Sequence, residues 1–197
     1  MKKFKLISVA AVVGSAVLVA AASAWAGSCG GGSHACATHG KSSTPAPGKD
    51  HDSSSFLKSY FEMRSVLASD KVTGLDKLAK NLAGQTSKFR KTLGAGPREK
   101  ARPEQLGALK DIEKAALAMK ASDINAAREG FKDLSRTVLA YVKSYGCDGS
   151  VYSFYCDMVK ENWLQETDKM GNPYYGSQML TCGVMTGHTM NGKYMAN

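Results

Sequence analysis

Residues able to do chemistry gather in the last third of the chain. Six of the nine methionines follow Ser150, interleaved with two cysteines and a histidine in the order Cys156, Met158, Met170, Met179, Cys182, Met185, His188, Met190 and Met195. Thiolate and thioether sulfur select monovalent copper or silver over hard cations, and a thioether needs no deprotonation, so such ligands keep working at acidic extracellular pH. Cys156 and Met158 lie two apart, which on an extended strand turns both side chains to one face. Met179, Cys182 and Met185 are spaced by three, which suits one face of a helix. Two short segments of this kind could clamp one ion, so Cys156, Met158, Met179 and Cys182 are the first-choice metal ligands. Met185, His188 and Met190, with Met195 beyond them, form a second set of lower expected affinity.

Each of these residues also has a plainer reading. An unbranched thioether fills irregular gaps in a core, so methionines can be packing alone. Cys156 and Cys182 could close a disulfide in an oxidising compartment, stabilising by roughly 3 kcal/mol in the chain-entropy account. Five cysteines cannot all pair within one chain, which leaves Cys147 or Cys29 as the odd thiol. Trp163 reads first as a core aromatic and second as a ring that could shield a soft cation. Asn172-Pro173-Tyr174-Tyr175-Gly176 reads as a turn whose duty is to bring Met179 and Cys182 back toward Cys156. A second, sparser cluster, Cys29, His34, Cys36 and His39, could act as a mobile capture site. Its spacing matches no closed zinc pattern, and Cys29 with Cys36 could equally form a small disulfide loop.

The elements that must position these side chains are helical. Phe56, Tyr60, Met63 and Leu67 share one stripe, which predicts a helix near Ser54 to Ala68. Val72, Leu75, Leu78, Leu82 and Phe89 predict a second near Lys71 to Leu93, stopped by Gly94 to Pro97. Pro103 opens a third, carrying Leu106, Leu109, Ile112, Ala116 and Met119 up to Lys120. Ser122-Asp123 caps a fourth, whose Ile124, Ala127, Phe131, Leu134, Val138, Tyr141 and Tyr145 run to Gly146. Short connections imply an antiparallel four-helix bundle. The expected fold is all-α: a bundle over residues 56–146, followed at 147–197 by an irregular Cys/Met-rich segment packed on it, since helical periodicity fades after Gly146.

Ahead of the bundle the chain reads as an address and a tail. Lys2, Lys3 and Lys5 precede an apolar run from Leu6 to Ala22, and Ala24-Trp25-Ala26 carries small residues where signal peptidase inspects, so residues 1–26 are expected to be a cleaved signal peptide. The run is short for a membrane span, and nothing later resembles one. Lipid attachment at Cys29 fits less well, because Ala26 stands where a branched aliphatic is usual. Residues 27–55, rich in Ser, Gly, His and Pro, cannot bury enough apolar surface to offset the entropy of ordering and are expected to be a flexible tail. The predicted location is periplasmic.

Loss of the leader's three lysines takes the formal charge from +9 to +6 over the 171 residues left. The excess, for example at Lys88, Arg90, Lys91, Arg98, Lys100 and Arg102, is scattered without an aromatic stacking platform, so a solvated face outranks nucleic-acid binding. No Cys-x-x-Cys occurs, and spacing places no base beside Cys156, so thiol oxidoreductase chemistry is not expected and the protein reads as no enzyme.

Tyr155-Cys156-Asp157-Met158, Trp163-Leu164, Asn172-Pro173-Tyr174-Tyr175-Gly176 and Met179-Leu180-Thr181-Cys182-Gly183 follow one another in order after a helical stretch. From about residue 56 to 185 the chain resembles a bacterial domain family of unassigned function, often fused to or encoded beside the periplasmic adaptor (membrane-fusion) subunits of copper and silver efflux systems. The family's run reads Tyr-Cys-Pro-Met, so Asp157 departs from it by loosening the backbone and adding a carboxylate while leaving both sulfurs. The resemblance implies Cys156, Met158, Met179 and Cys182 as shared ligands. The functional expectation is an extracytoplasmic binder of copper(I) or silver(I) that buffers the ion or hands it to an efflux or assembly partner. The alternative is a non-metal adaptor domain of an envelope complex with a structural Cys156–Cys182 disulfide.

Overall fold

A computed structural model of the protein describes residues 53–95 and 103–197. The leader, most of the tail and its cluster Cys29, His34, Cys36 and His39 lie outside the described residues. Four helices come first: α1 (Ser54–Ala68), α2 (Leu75–Ala95), α3 (Pro103–Ala118) and α4 (Ile124–Tyr145). Four strands follow: β1 (Tyr152–Cys156), β2 (Glu161–Gln165), β3 (Val184–Met190) and β4 (Lys193–Ala196). The all-α expectation is therefore overturned. The segment after Gly146 is an antiparallel sheet of order β2-β1-β3-β4, and the fold mixes helix and sheet.

The helices form where apolar residues recur at turns of three and four, and their ends have identifiable causes. The Asp123 carboxylate accepts the Asn125 and Ala126 N–H groups and caps α4, while Gly146, at φ 74°, ends it. α2 starts at Leu75, later than the apolar stripe suggests, because Asp70 (φ 58°) and Gly74 (φ 85°) hold the intervening turn out of helical geometry. Phe56, Tyr60, Met63 and Leu67 of α1, with Leu82, Leu109, Ile112, Phe131, Leu134 and Val138 of the other helices, are completely buried. Tyr60 stacks on Phe131 at 5.0 Å, and Phe56 meets Tyr141 edge-on at 5.9 Å. Among the described residues no helix is long and apolar enough to cross a membrane.

The sheet is joined to the helices at several points. The Tyr60 hydroxyl, 2.8 Å from Ser135 Oγ, accepts the Leu164 N–H of β2 at 3.1 Å, tying α1, α4 and the sheet together. The Asp148 carboxylate accepts both the N–H and the hydroxyl of Ser53 at the head of α1. Lys143 of α4 lies over the Tyr194 ring of β4 at 5.5 Å. Tyr194 thus marks the helix-facing side of the sheet; Ser153 shares that side, its hydroxyl 2.7 Å from the Tyr194 hydroxyl, and so does Leu164, which stands opposite Ser153.

The opposite side follows from the register, because side chains alternate along a strand. Tyr152, Phe154 and Cys156 pair with Gln165, Trp163 and Glu161 on β2. Toward β3, Tyr152 pairs with His188 and Phe154 with Met185, the register shifting by one residue between Ser153 and Phe154. This bulge takes up Thr186 and brings Met185 onto the same side as His188, which simple alternation would not do.

Candidate metal centre

Cys156 is the last residue of β1 and is fully buried. The chain then turns through residues 157–160, with Lys160 at φ 57°, and re-enters the sheet as β2. Burial pushes the Cys156 thiol up, but the N–H of Val159, the Asn172 side chain, the N–H of Met158 and the neighbouring Cys182 outweigh it and hold the thiol below its ordinary range. The turn thus provides hydrogen-bond donors for a thiolate.

The second thiol arrives from the covering segment between β2 and β3. Cys182 Sγ lies 3.9 Å from Cys156 Sγ, and neither forms a disulfide. Burial and the adjacent Cys156 push the Cys182 thiol above its ordinary value, so the two sulfurs ionise in order, Cys156 first. Gly183 follows at φ 153°. A Cβ there would lie 2.9 Å from the Trp163 ring, 3.0 Å from the Tyr155 carbonyl and 3.2 Å from the Met170 sulfur, so glycine lets the segment close onto the sheet.

Asn172 organises the closure. It is fully buried, donates its amide to the Cys182 carbonyl at 2.9 Å, and accepts the Tyr174 N–H at 2.8 Å. Its main-chain N–H reaches the Leu180 carbonyl at 2.8 Å. The helices fix the same segment from outside. Arg128 of α4 donates to the Pro173 carbonyl at 3.0 Å and pairs with Asp70 at 2.6 Å, and Asp70 accepts the Ser177 N–H at 2.9 Å. Gly176, at φ 56°, leaves room there, since a Cβ would collide with the Asp70 carboxylate. Bonds to Ser177 and Arg128 lower the Asp70 carboxyl to about 2.

The predicted ligands do not all arrive as spacing suggested. β1 ends at Cys156, so Met158 lies in the turn and is 59% exposed; the pair does not share a strand face. Met179, Cys182 and Met185 do not share a helix either. A single 3-10 turn spans Gly176–Gln178, Met179 ends it and is half-buried, and Met185 already belongs to β3. The Cys182 N–H instead closes a turn on the Met179 carbonyl at 3.0 Å. Met170, not chosen as a ligand from the sequence, is the thioether placed beside Gly183, next to Cys182. Trp163 is core, stacked on Phe154 at 5.4 Å and edge-on to Tyr174 at 6.0 Å, with its indole N–H donated to Gln165. Cys147 is a buried free thiol that burial pushes up to about 12.

The pair's chemistry is that of a soft clamp. With metal–sulfur bonds of about 2.3 Å, sulfurs 3.9 Å apart subtend an angle of about 115°, which leaves a side open for a further donor. Among the described residues no three His, Cys, Asp or Glu side chains converge.

Residues 56–149 match the model of a family described as a protein of unknown function (DUF3347). A DUF3347 domain is present there. It takes in nearly all of the four helices and ends before Cys156, so the thiol pair lies beyond the matched stretch. Comparison with curated proteins and with solved structures gives no match.

Proposed function

We propose that the DUF3347 helices carry a sheet whose Cys156/Cys182 pair captures copper(I) or silver(I) outside the cytoplasm, and that the protein buffers the ion or passes it to an efflux or assembly partner. The observation that carries this reading is the 3.9 Å approach of two free sulfurs from separate segments, one of them lined with N–H donors. Cys156, the lower-pKa thiol, binds first as thiolate; Cys182 follows, and each thiol releases its proton on ligation. A thioether from Met170, Met179 or Met158 completes the set. Ligands drawn from a strand end, a covering segment and a methionine can be exchanged one at a time, which suits hand-over. The ion is cargo in this reading, and the protein binds without catalysing a reaction.

Anaerobic titration with copper(I) against a competing chelator tests the proposal. The wild type should hold one ion that the Cys156→Ser, Cys182→Ser variant loses, with at least a hundredfold drop in affinity. Equal binding by the two proteins would sink the reading. A Cys156–Cys182 disulfide in protein isolated under oxidising conditions, together with no copper(I) binding after reduction, would favour the adaptor role.

A further inference from the structure

We propose that His188, Met190 and Met195 form a second, solvent-facing site for a monovalent soft metal ion, built on the β3–β4 hairpin and independent of the thiol pair. Asn191 (φ 52°) and Gly192 (φ 75°) make a two-residue turn of the type I′ kind, and this pins the hairpin register. His188 consequently stands directly opposite Met195, and Met190 opposite Lys193. Directly opposed residues hold their Cβ atoms about 5 Å apart, and the next residue along the same face is within reach of a long side chain. One imidazole and two thioethers therefore share one patch of the sheet.

The face around them argues for an ion of this class. It is the side away from the helices, and Met190 and Met195 are 53% and 49% exposed there. The register places Tyr152, Lys193 and Gln165 around the patch and no carboxylate directly opposite any of the three donors, so hard cations find no oxygen cage. The Tyr152 ring stacks over His188 at 6.4 Å between centroids and walls one side of the imidazole. The Lys193 ammonium opposes an incoming cation, which sets this site weaker than the thiol pair.

Silver(I), which is diamagnetic, gives a site-resolved test. In protein carrying Cys156→Ser and Cys182→Ser with methyl-labelled methionine, the Met190 and Met195 methyl signals and the His188 ring signals should shift together and saturate at one equivalent. Met190→Leu with Met195→Leu should weaken the His188 response at least tenfold while leaving the melting temperature unchanged, since both side chains are exposed. Stationary Met190 and Met195 signals, or a His188 response indifferent to both leucines, would overturn the site. In otherwise wild-type protein the same two leucines should leave copper(I)–thiolate ultraviolet absorption intact, so failure here is separable from failure at Cys156/Cys182.

Discussion

The Asn172 side-chain amide donates to the Cys182 carbonyl at 2.9 Å from a fully buried position, so the residue that shapes the covering segment also sets where the second thiol stands. Asn172→Ala should cost about 2–3 kcal/mol in urea unfolding, because the Cys182 carbonyl and the Tyr174 N–H lose their partner in the interior. Copper(I) affinity should fall with it. An unchanged affinity in a stably folded Asn172→Ala protein would show that the amide does not position Cys182.

Asp70 gives a pH signature. Its carboxyl is lowered from 3.8 to about 2 by bonds to Ser177 and to Arg128. A depressed carboxylate contributes stability that is fully present above its unfolded value and is lost as pH falls through the folded one. Thermal unfolding should therefore lose this contribution between about pH 4 and pH 2, and Asp70→Asn should flatten that part of the profile. Superimposable profiles would place the acid-sensitive contact elsewhere.

Two glycines should respond with opposite signs. Gly84, on the exposed side of α2, has nothing within 4 Å of an added Cβ, so Gly84→Ala should stabilise by about 0.5–1 kcal/mol. At Gly146, φ is 74° and a Cβ would run into the Gly192 carbonyl of the β3–β4 turn. Gly146→Ala should destabilise by at least about 2 kcal/mol, combining left-handed strain with that collision. Denaturant midpoints for the two variants decide both signs.

Tyr60→Phe removes a hydroxyl that joins Ser135 of α4 to the Leu164 N–H of β2. About 1–3 kcal/mol should be lost, mainly from the orphaned buried N–H. Amide hydrogen exchange should speed at Leu164 more than in α3; an even change across the protein would show that the hydroxyl does not link sheet and helices.

The helices were legible because a stripe such as Ile124, Ala127, Phe131, Leu134 and Val138 has one economical explanation, a helix with a single buried side. The sheet was hidden for three physical reasons. Its strands are four to seven residues long, too short to display a period. The bulge at Thr186 breaks the alternation that would have exposed β3. Methionines that read as ligands concealed the pattern on which a strand assignment depends. Asn191-Gly192 was the available signal, a two-residue hairpin turn between Met190 and Lys193. At the thiol pair, residue type pointed to Cys156 and Cys182, but spacing misplaced Met158 and Met179, because a turn and a 3-10 segment stand where a strand and a helix were expected.

The bulge at Thr186 has a consequence for distances. Cys156, Phe154 and Tyr152 are successive same-side residues of β1, and Phe154 and Tyr152 are level with Met185 and His188. At about 3.3 Å of rise per residue, the rows of Cys156, Met185 and His188 lie roughly 6–7 Å apart. An unbulged strand would turn Met185 toward the helices and leave a gap of about 13 Å between the buried sulfur and the open edge. One extra residue therefore keeps Met185 level with Phe154, on the side of the sheet that carries both Cys156 and His188.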